Sequence, residues 1–124
     1  ITVALREGGE AFRCLVAYYG PLDLMPVRPH LGPEIPDAVL RALSPISYLD
    51  APAAQTPTFV VRAEADVHWP MEGIDAYVGA ARAGNLPVTL RPHSTGHHAV
   101  DVIDDNDESR AIMQETLAFI LQYI

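Results

Sequence analysis

Two segments of the sequence concentrate side chains that can move protons. One is Ala63-Glu64-Ala65-Asp66-Val67-His68-Trp69-Pro70, and the other is His93-Ser94-Thr95-Gly96-His97-His98-Ala99-Val100-Asp101. A third, Gly20-Pro21-Leu22-Asp23, ends in a carboxylate. A carboxylate in one loop and a histidine in the next suit acyl transfer. There a base takes the nucleophile's proton, and an acid orients that base and stabilises its charged form. Asp66 supplies such an acid, and His97 or His98 such a base. A nucleophile is harder to find. Ser44, Ser47, Ser94 and Ser109 lie beside a proline, in a loop or at a helix start, and Cys14 falls inside an apolar run where its thiol packs as a small core group. Zinc ligation is the rival chemistry, since His68, His93, His97, His98 and Asp101 are of ligand type. No two histidines stand at i, i+4 on a helix and no cysteine pair exists, so no metal and no other cofactor is expected.

The elements that must position these loops follow from the apolar pattern. Ile1–Glu7 reads as the end of a helix, stopped by Gly8-Gly9 in a left-handed turn. Phe12–Tyr19 is a short apolar run closed by Gly20-Pro21, as in a strand buried on both faces. Pro21–Pro36 holds five prolines and reads as an irregular connection that shapes a pocket. Asp37–Leu43 forms a short helix, and Pro45–Pro57 a loop. Thr58–Arg62 is a second buried strand. A helix starts at Pro70, carries the inward stripe Ile74, Tyr77, Val78 and Ala81, and ends at Gly84-Asn85. Val88–Arg91 is a third strand, nearer a sheet edge. The last helix starts at Asp107 as N-cap and turns Ile112, Met113, Thr116, Phe119, Ile120 and Tyr123 inward. Strands alternating with helices give an α/β fold with three mainly parallel strands. In such sheets ligands bind beyond the carboxyl ends of the strands, where the three polar loops leave.

Composition narrows the partners. Hydrophobic residues make up 49% of the 124 residues and charged residues 19%, which is globular. A net charge of −8 repels phosphate backbones, so no nucleic acid is expected. No apolar run approaches the ~20 residues that span a bilayer, so no membrane partner is expected. The single cysteine fits a reducing, cytoplasmic setting. The chain opens directly on apolar Ile1-Thr2-Val3-Ala4-Leu5, which leads to the expectation that an N-terminal part precedes it.

Thr58-Phe-Val-Val-Arg-Ala-Glu-Ala-Asp66 with Trp69-Pro70, then Gly96-His-His-Ala-Val-Asp101 before a final helix, resembles the C-terminal half of an α/β-hydrolase. Tyr18-Tyr19-Gly20 adds to the likeness, which is nearest to the dienelactone-hydrolase-like and esterase branch and spans residues 1–124. The order acid then histidine is that of the superfamily. The resemblance implies Asp66 as triad acid and His98 as triad base, because His98 is followed by a small and then a hydrophobic residue. His97 is the alternate base, and Asp23 the alternate acid. Tyr19 and Trp69 are candidates for lining a substrate pocket. The family's Gly-x-Ser-x-Gly turn is absent here, and the resemblance places it upstream of Ile1 together with the oxyanion donors. The implied parent enzyme hydrolyses an ester, lactone or similar acyl bond of a small-molecule substrate. The alternative is a non-catalytic fragment or lost-function homologue acting through a partner chain. In either case the chain is expected to associate, with its own N-terminal half or with itself. Asp101, Asp104, Asp105, Asp107 and Glu108 read as a solvated run leading into the last helix.

Overall fold

The computed structural model describes residues 1–8 and 11–124. Strand β2 (Thr58–Ala63) occupies the centre of a three-stranded parallel sheet, between β1 (Leu15–Tyr18) and β3 (Val88–His93). Its TFVVRA sequence is β-branched and aromatic, and side chains alternate between the faces of a strand. Phe59, Val61 and Ala63 therefore join Val100, Ile112 and Phe119 in one core cluster. Val60 joins Leu5, Leu15, Leu22, Ile74, Tyr77 and Val78 in another. Helix α4 (Asp107–Leu121) covers the first face, while α1 (Thr2–Glu7) and α3 (Glu72–Ala83) supply the second. The short helix α2 (Asp37–Leu43) packs on 3-10 turns at Met25–His30 and Pro45–Tyr48 inside the proline-rich connections.

Several sequence expectations are corrected here. The first strand starts at Leu15, and its residues are half-buried apart from Leu15 itself. Phe12 is 47% exposed. Among the described residues the ladder begins where β2 begins, at the Leu15↔Thr58 pair. Gly8 is right-handed, with φ −72° and ψ −28°, and does not form the left-handed stop; Gly9 lies outside the described residues. Helix α3 begins two residues after Pro70, and the left-handed residue behind it is Asn85 (φ 54°). Asn106, not Asp107, caps α4. Its extended backbone lets the side chain accept from the Ser109 N–H, whereas Asp107 is already helical.

Register and edges decide what the sheet presents. The β2–β3 ladder ends on Ala63↔His93, so the acid and histidine loops leave the sheet at one level. On the other side β1 is an edge. Leu15 and Tyr19 donate towards β2, which leaves the alternate N–H groups of Val16 and Tyr18 facing away from it. An open groove of about 340 Å³ lies there, lined by Val16, Tyr18, Asp101, Met113, Thr116 and Leu117. Among the described residues, no helix is long and apolar enough to cross a membrane.

Candidate active site

The acid and histidine loops are stitched together by backbone before any side chain is considered. The Glu64 N–H donates to the His93 carbonyl at 3.1 Å, carrying the β2–β3 ladder one step beyond the strands. The Ala65 N–H donates to the Gly96 carbonyl at 2.8 Å. These bonds hold Asp66 beside the segment that presents His98. His98 Nδ1 lies 2.8 Å from Asp66 Oδ2. The other carboxylate oxygen, Oδ1, accepts the His68 backbone N–H at 2.8 Å. The Asp66 side chain has no exposed surface, while the His98 side chain is 33% exposed. A desolvated carboxylate with both oxygens engaged is fixed in place. It accepts the Nδ1 proton, so Nε2 is the ring nitrogen left to act as a base. Among the described residues Nε2 has no hydrogen-bond partner.

Beneath the loop sits His93, the last residue of β3 and wholly buried. The Thr95 N–H and a Glu108 carboxylate oxygen both lie 3.3 Å from its Nδ1, and its Nε2 is hydrogen-bonded to Ser109 Oγ at 2.9 Å. The ring thereby ties the loop to the first turn of α4. Gly96 rests on this ring. Ala99, directly after His98, is left-handed (φ 66°), and Val100 plugs into the core at 1% exposure. His98 is thus held from both sides, by a buried anchor at Val100 and a buried platform at His93.

The other candidates separate from this pair. His97 is 62% exposed and contacts Asp104 instead, with Nδ1 at 3.0 Å from Oδ1 and its backbone N–H at 2.7 Å from Oδ2. Those contacts hold the Asp104 carboxyl below the usual range, the backbone donor contributing most. Asp23 Oδ1 accepts the Met25 N–H at 2.9 Å, so it shapes its own turn. Trp69, on the acid loop, is 36% exposed. Tyr19 stands with its ring edge-on to His98, centroids 4.7 Å apart, and His68 flanks the same ring at 5.4 Å. Among the described residues no three His, Cys, Asp or Glu side chains group as metal ligands.

The acidic run is not a merely solvated stretch. Asp101 accepts the Tyr19 hydroxyl at 2.7 Å, Asp104 holds His97, and Glu108 accepts from the Ser94 backbone N–H at 3.1 Å as well as from its hydroxyl. The hydroxyl bond does most to keep the Glu108 carboxyl low, against the desolvation that raises it. The sequence offers His93 only as one of several ligand-type residues, in the loop after the third strand. Strand β3 runs two residues past the expected Val88–Arg91, to His93, and that extension puts the His93 ring on the core-facing side.

The sequence matches no protein-family model and no curated protein. Solved structures do resemble it. A thermophilic esterase from the planctomycete Thermogutta terrifontis, with butyrate bound, superposes with a TM-score of 0.66 and 18% identity, over 89% of this chain and 43% of that one. The same esterase phosphoramylated by tabun gives 0.59 and 20%, over 87% and 41%. Dipeptidyl peptidase 4 of Porphyromonas gingivalis gives 0.75 and 13%, over 99% of this chain and 18% of its own length. The chain thus spans less than half the length of each of these structures. Together with the parallel sheet and alternating helices, these likenesses establish the fold as part of an α/β-hydrolase sheet.

Proposed function

We propose that this chain supplies the acid and the base of an acyl-hydrolysing triad whose nucleophile lies on a segment preceding Ile1. The observation that carries the reading is the 2.8 Å contact between His98 Nδ1 and a buried, doubly bonded Asp66 carboxylate. In the forward step His98 Nε2 takes the proton of the nucleophile as it attacks the acyl carbon. It then returns that proton to the leaving group, and Asp66 stays ionised and offsets the imidazolium charge. The esterase neighbours support an ester as substrate class. The Tyr18-Tyr19-Gly20 and Gly96-His97-His98-Ala99-Val100 segments favour the dienelactone-hydrolase-like branch, with lactones included. The test is hydrolysis of p-nitrophenyl acetate by the full-length protein. His98→Ala and Asp66→Asn should each lower kcat by about a thousandfold or more, whereas His97→Ala should stay within about threefold of wild type. Equal losses at His97 and His98, or none at Asp66, would overturn the assignment.

A second reading, a non-catalytic chain acting through association, is favoured by the bare edge of β1. Leu117 and Leu121 stand one helical turn apart on α4, 61% and 66% exposed, and Leu117 lines the groove beside that edge. An unpaired strand next to an uncovered apolar helix stripe is a template for another strand and helix. In the triad reading the occupant is the chain's own N-terminal half. In the alternative it is a partner or a second copy.

A further inference from the structure

We propose that Tyr19 is a positioning residue for His98, acting through Asp101, rather than a wall of the substrate pocket. The proposal rests on the triad reading above. One hydrogen bond to Asp66 fixes the Nδ1 atom of His98, but it does not fix the plane of the ring about that bond. The plane sets where Nε2 points, so something must bear on the ring from the side. Tyr19 does so, edge-on at 4.7 Å, with His68 on the same ring at 5.4 Å.

Tyr19 is itself held at three points. Its N–H donates to the Val61 carbonyl at 2.9 Å, continuing the β1–β2 ladder past the end of β1. Its ring meets that of Tyr18 at 5.9 Å. Its hydroxyl donates to Asp101 Oδ1 at 2.7 Å. Its backbone is left-handed, φ 38°, a strained conformation for an aromatic residue that persists only where surroundings enforce it. Asp101 lies three residues beyond His98, and between them Ala99 is left-handed as well. The hydroxyl–carboxylate bond therefore closes a bridge from the exit of β1 across to the histidine loop, which is otherwise tied to β3, α4 and the acid loop after β2. It pins the far side of that loop, opposite the His93 platform. The hydroxyl keeps its proton at neutral pH, since burial first and the Asp101 contact second push it up to about 12. At neutral pH it is a donor to Asp101.

The experiment follows the His98 Nδ1 proton by imidazole NMR in the full-length protein, together with ester hydrolysis. Tyr19→Phe keeps the ring and removes the donor, so the Nδ1 proton should exchange with water about tenfold faster, as for a loop that loses one charge-assisted bond. Asp101→Asn retains an acceptor and should raise exchange less than Asp101→Ala, while the Tyr19→Phe/Asp101→Asn pair should show no additional loss beyond Tyr19→Phe. In the assay Tyr19→Phe should lower kcat with KM held, whereas a pocket wall would raise KM with kcat held. Unchanged exchange in Tyr19→Phe and in Asp101→Ala would overturn the proposal whatever the activity. A wild-type protein that hydrolyses no ester, but shows the exchange effect, would overturn the triad reading and leave the bridge standing.

Discussion

Gly96 has no room for a side chain. A Cβ there would stand 2.5 Å from Val100 Cγ1 and 2.7 Å from His93 Cγ, both buried atoms. Gly96→Ala should therefore destabilise the protein by about 1–3 kcal/mol, as overpacking does. Because the Gly96 carbonyl receives the Ala65 N–H, the substitution should also weaken the His98–Asp66 contact. Urea unfolding and the intensity of the low-field Nδ1 proton signal would check both effects. Ala99 is constrained in a different way, by backbone angle rather than space. Ala99→Gly removes the left-handed penalty of roughly 1 kcal/mol and adds unfolded-state entropy of similar size, so stability should stay within about 1 kcal/mol. Ala99→Val puts a β-branched residue at φ 66° and should lose about 1–3 kcal/mol.

Among the elements, α3 carries a contrast that propensity alone would miss. Glycine inside a helix costs about 0.5–1 kcal/mol relative to alanine. At Gly79 nothing lies within 4 Å of an added Cβ, so Gly79→Ala should stabilise by about that amount. At Gly73 the same Cβ would sit 2.4 Å from the Asp23 carbonyl oxygen, a backbone atom that cannot swing aside. Gly73→Ala should destabilise instead, with the sign reversed between two glycines of one helix; thermal unfolding of both variants decides it. Helix α4 adds a cap test. Asn106→Ala removes the side chain that accepts the Ser109 N–H and should cost about 1 kcal/mol. The loss should also loosen His93, whose Nε2 bonds to the hydroxyl of the same serine.

For the whole molecule, the titrating groups predict stability that falls at both ends of the pH scale. Asp104 and Glu108 are held below their ordinary values of 3.8 and 4.5 by donors present only in the folded state. Their contribution is present above those values and is lost as pH falls through the lowered ones. Tyr19 runs the other way. Its folded value near 12 exceeds the ordinary 10.0, so its contribution is complete below 10.0 and is lost as pH rises towards 12. Tyr18 and Tyr77 are raised too, chiefly by burial, and add to the alkaline loss. Denaturant midpoints across pH 2 to 12 should form a plateau with both shoulders, and Tyr19→Phe should weaken the alkaline one. The bare edge of β1 and the Leu117/Leu121 stripe predict concentration-dependent association of this chain by itself. Light scattering should show it, and Leu117→Lys with Leu121→Lys should reduce it.

Local pattern was enough for much of this. Apolar runs bounded by Gly and Pro located all three strands, and helical spacing gave the inward stripe of α3 apart from Gly73, since these signals are written in consecutive side chains. The family resemblance, not local pattern, singled out Asp66 and His98 as a pair with His97 and Asp23 as alternates, and the structure places Asp66 and His98 2.8 Å apart. The edges of elements were less legible. Phe12 reads as a strand residue, but only the position of Thr58 on the neighbouring strand shows where pairing starts. Asn106 and Asp107 are both good caps by type, and the backbone angle chose between them. Contacts distant in sequence that no motif marks could not be read at all. Tyr19 meets Asp101 across 82 positions, and His93 is a buried platform because β3 ends against α4. Sequence determined which residues could do the chemistry, because residue type and near spacing are local properties. Tertiary structure alone decided that Asp66 is buried and that its Oδ2 meets His98 Nδ1, because that depends on the register of parallel strands whose pairing residues lie about thirty positions apart.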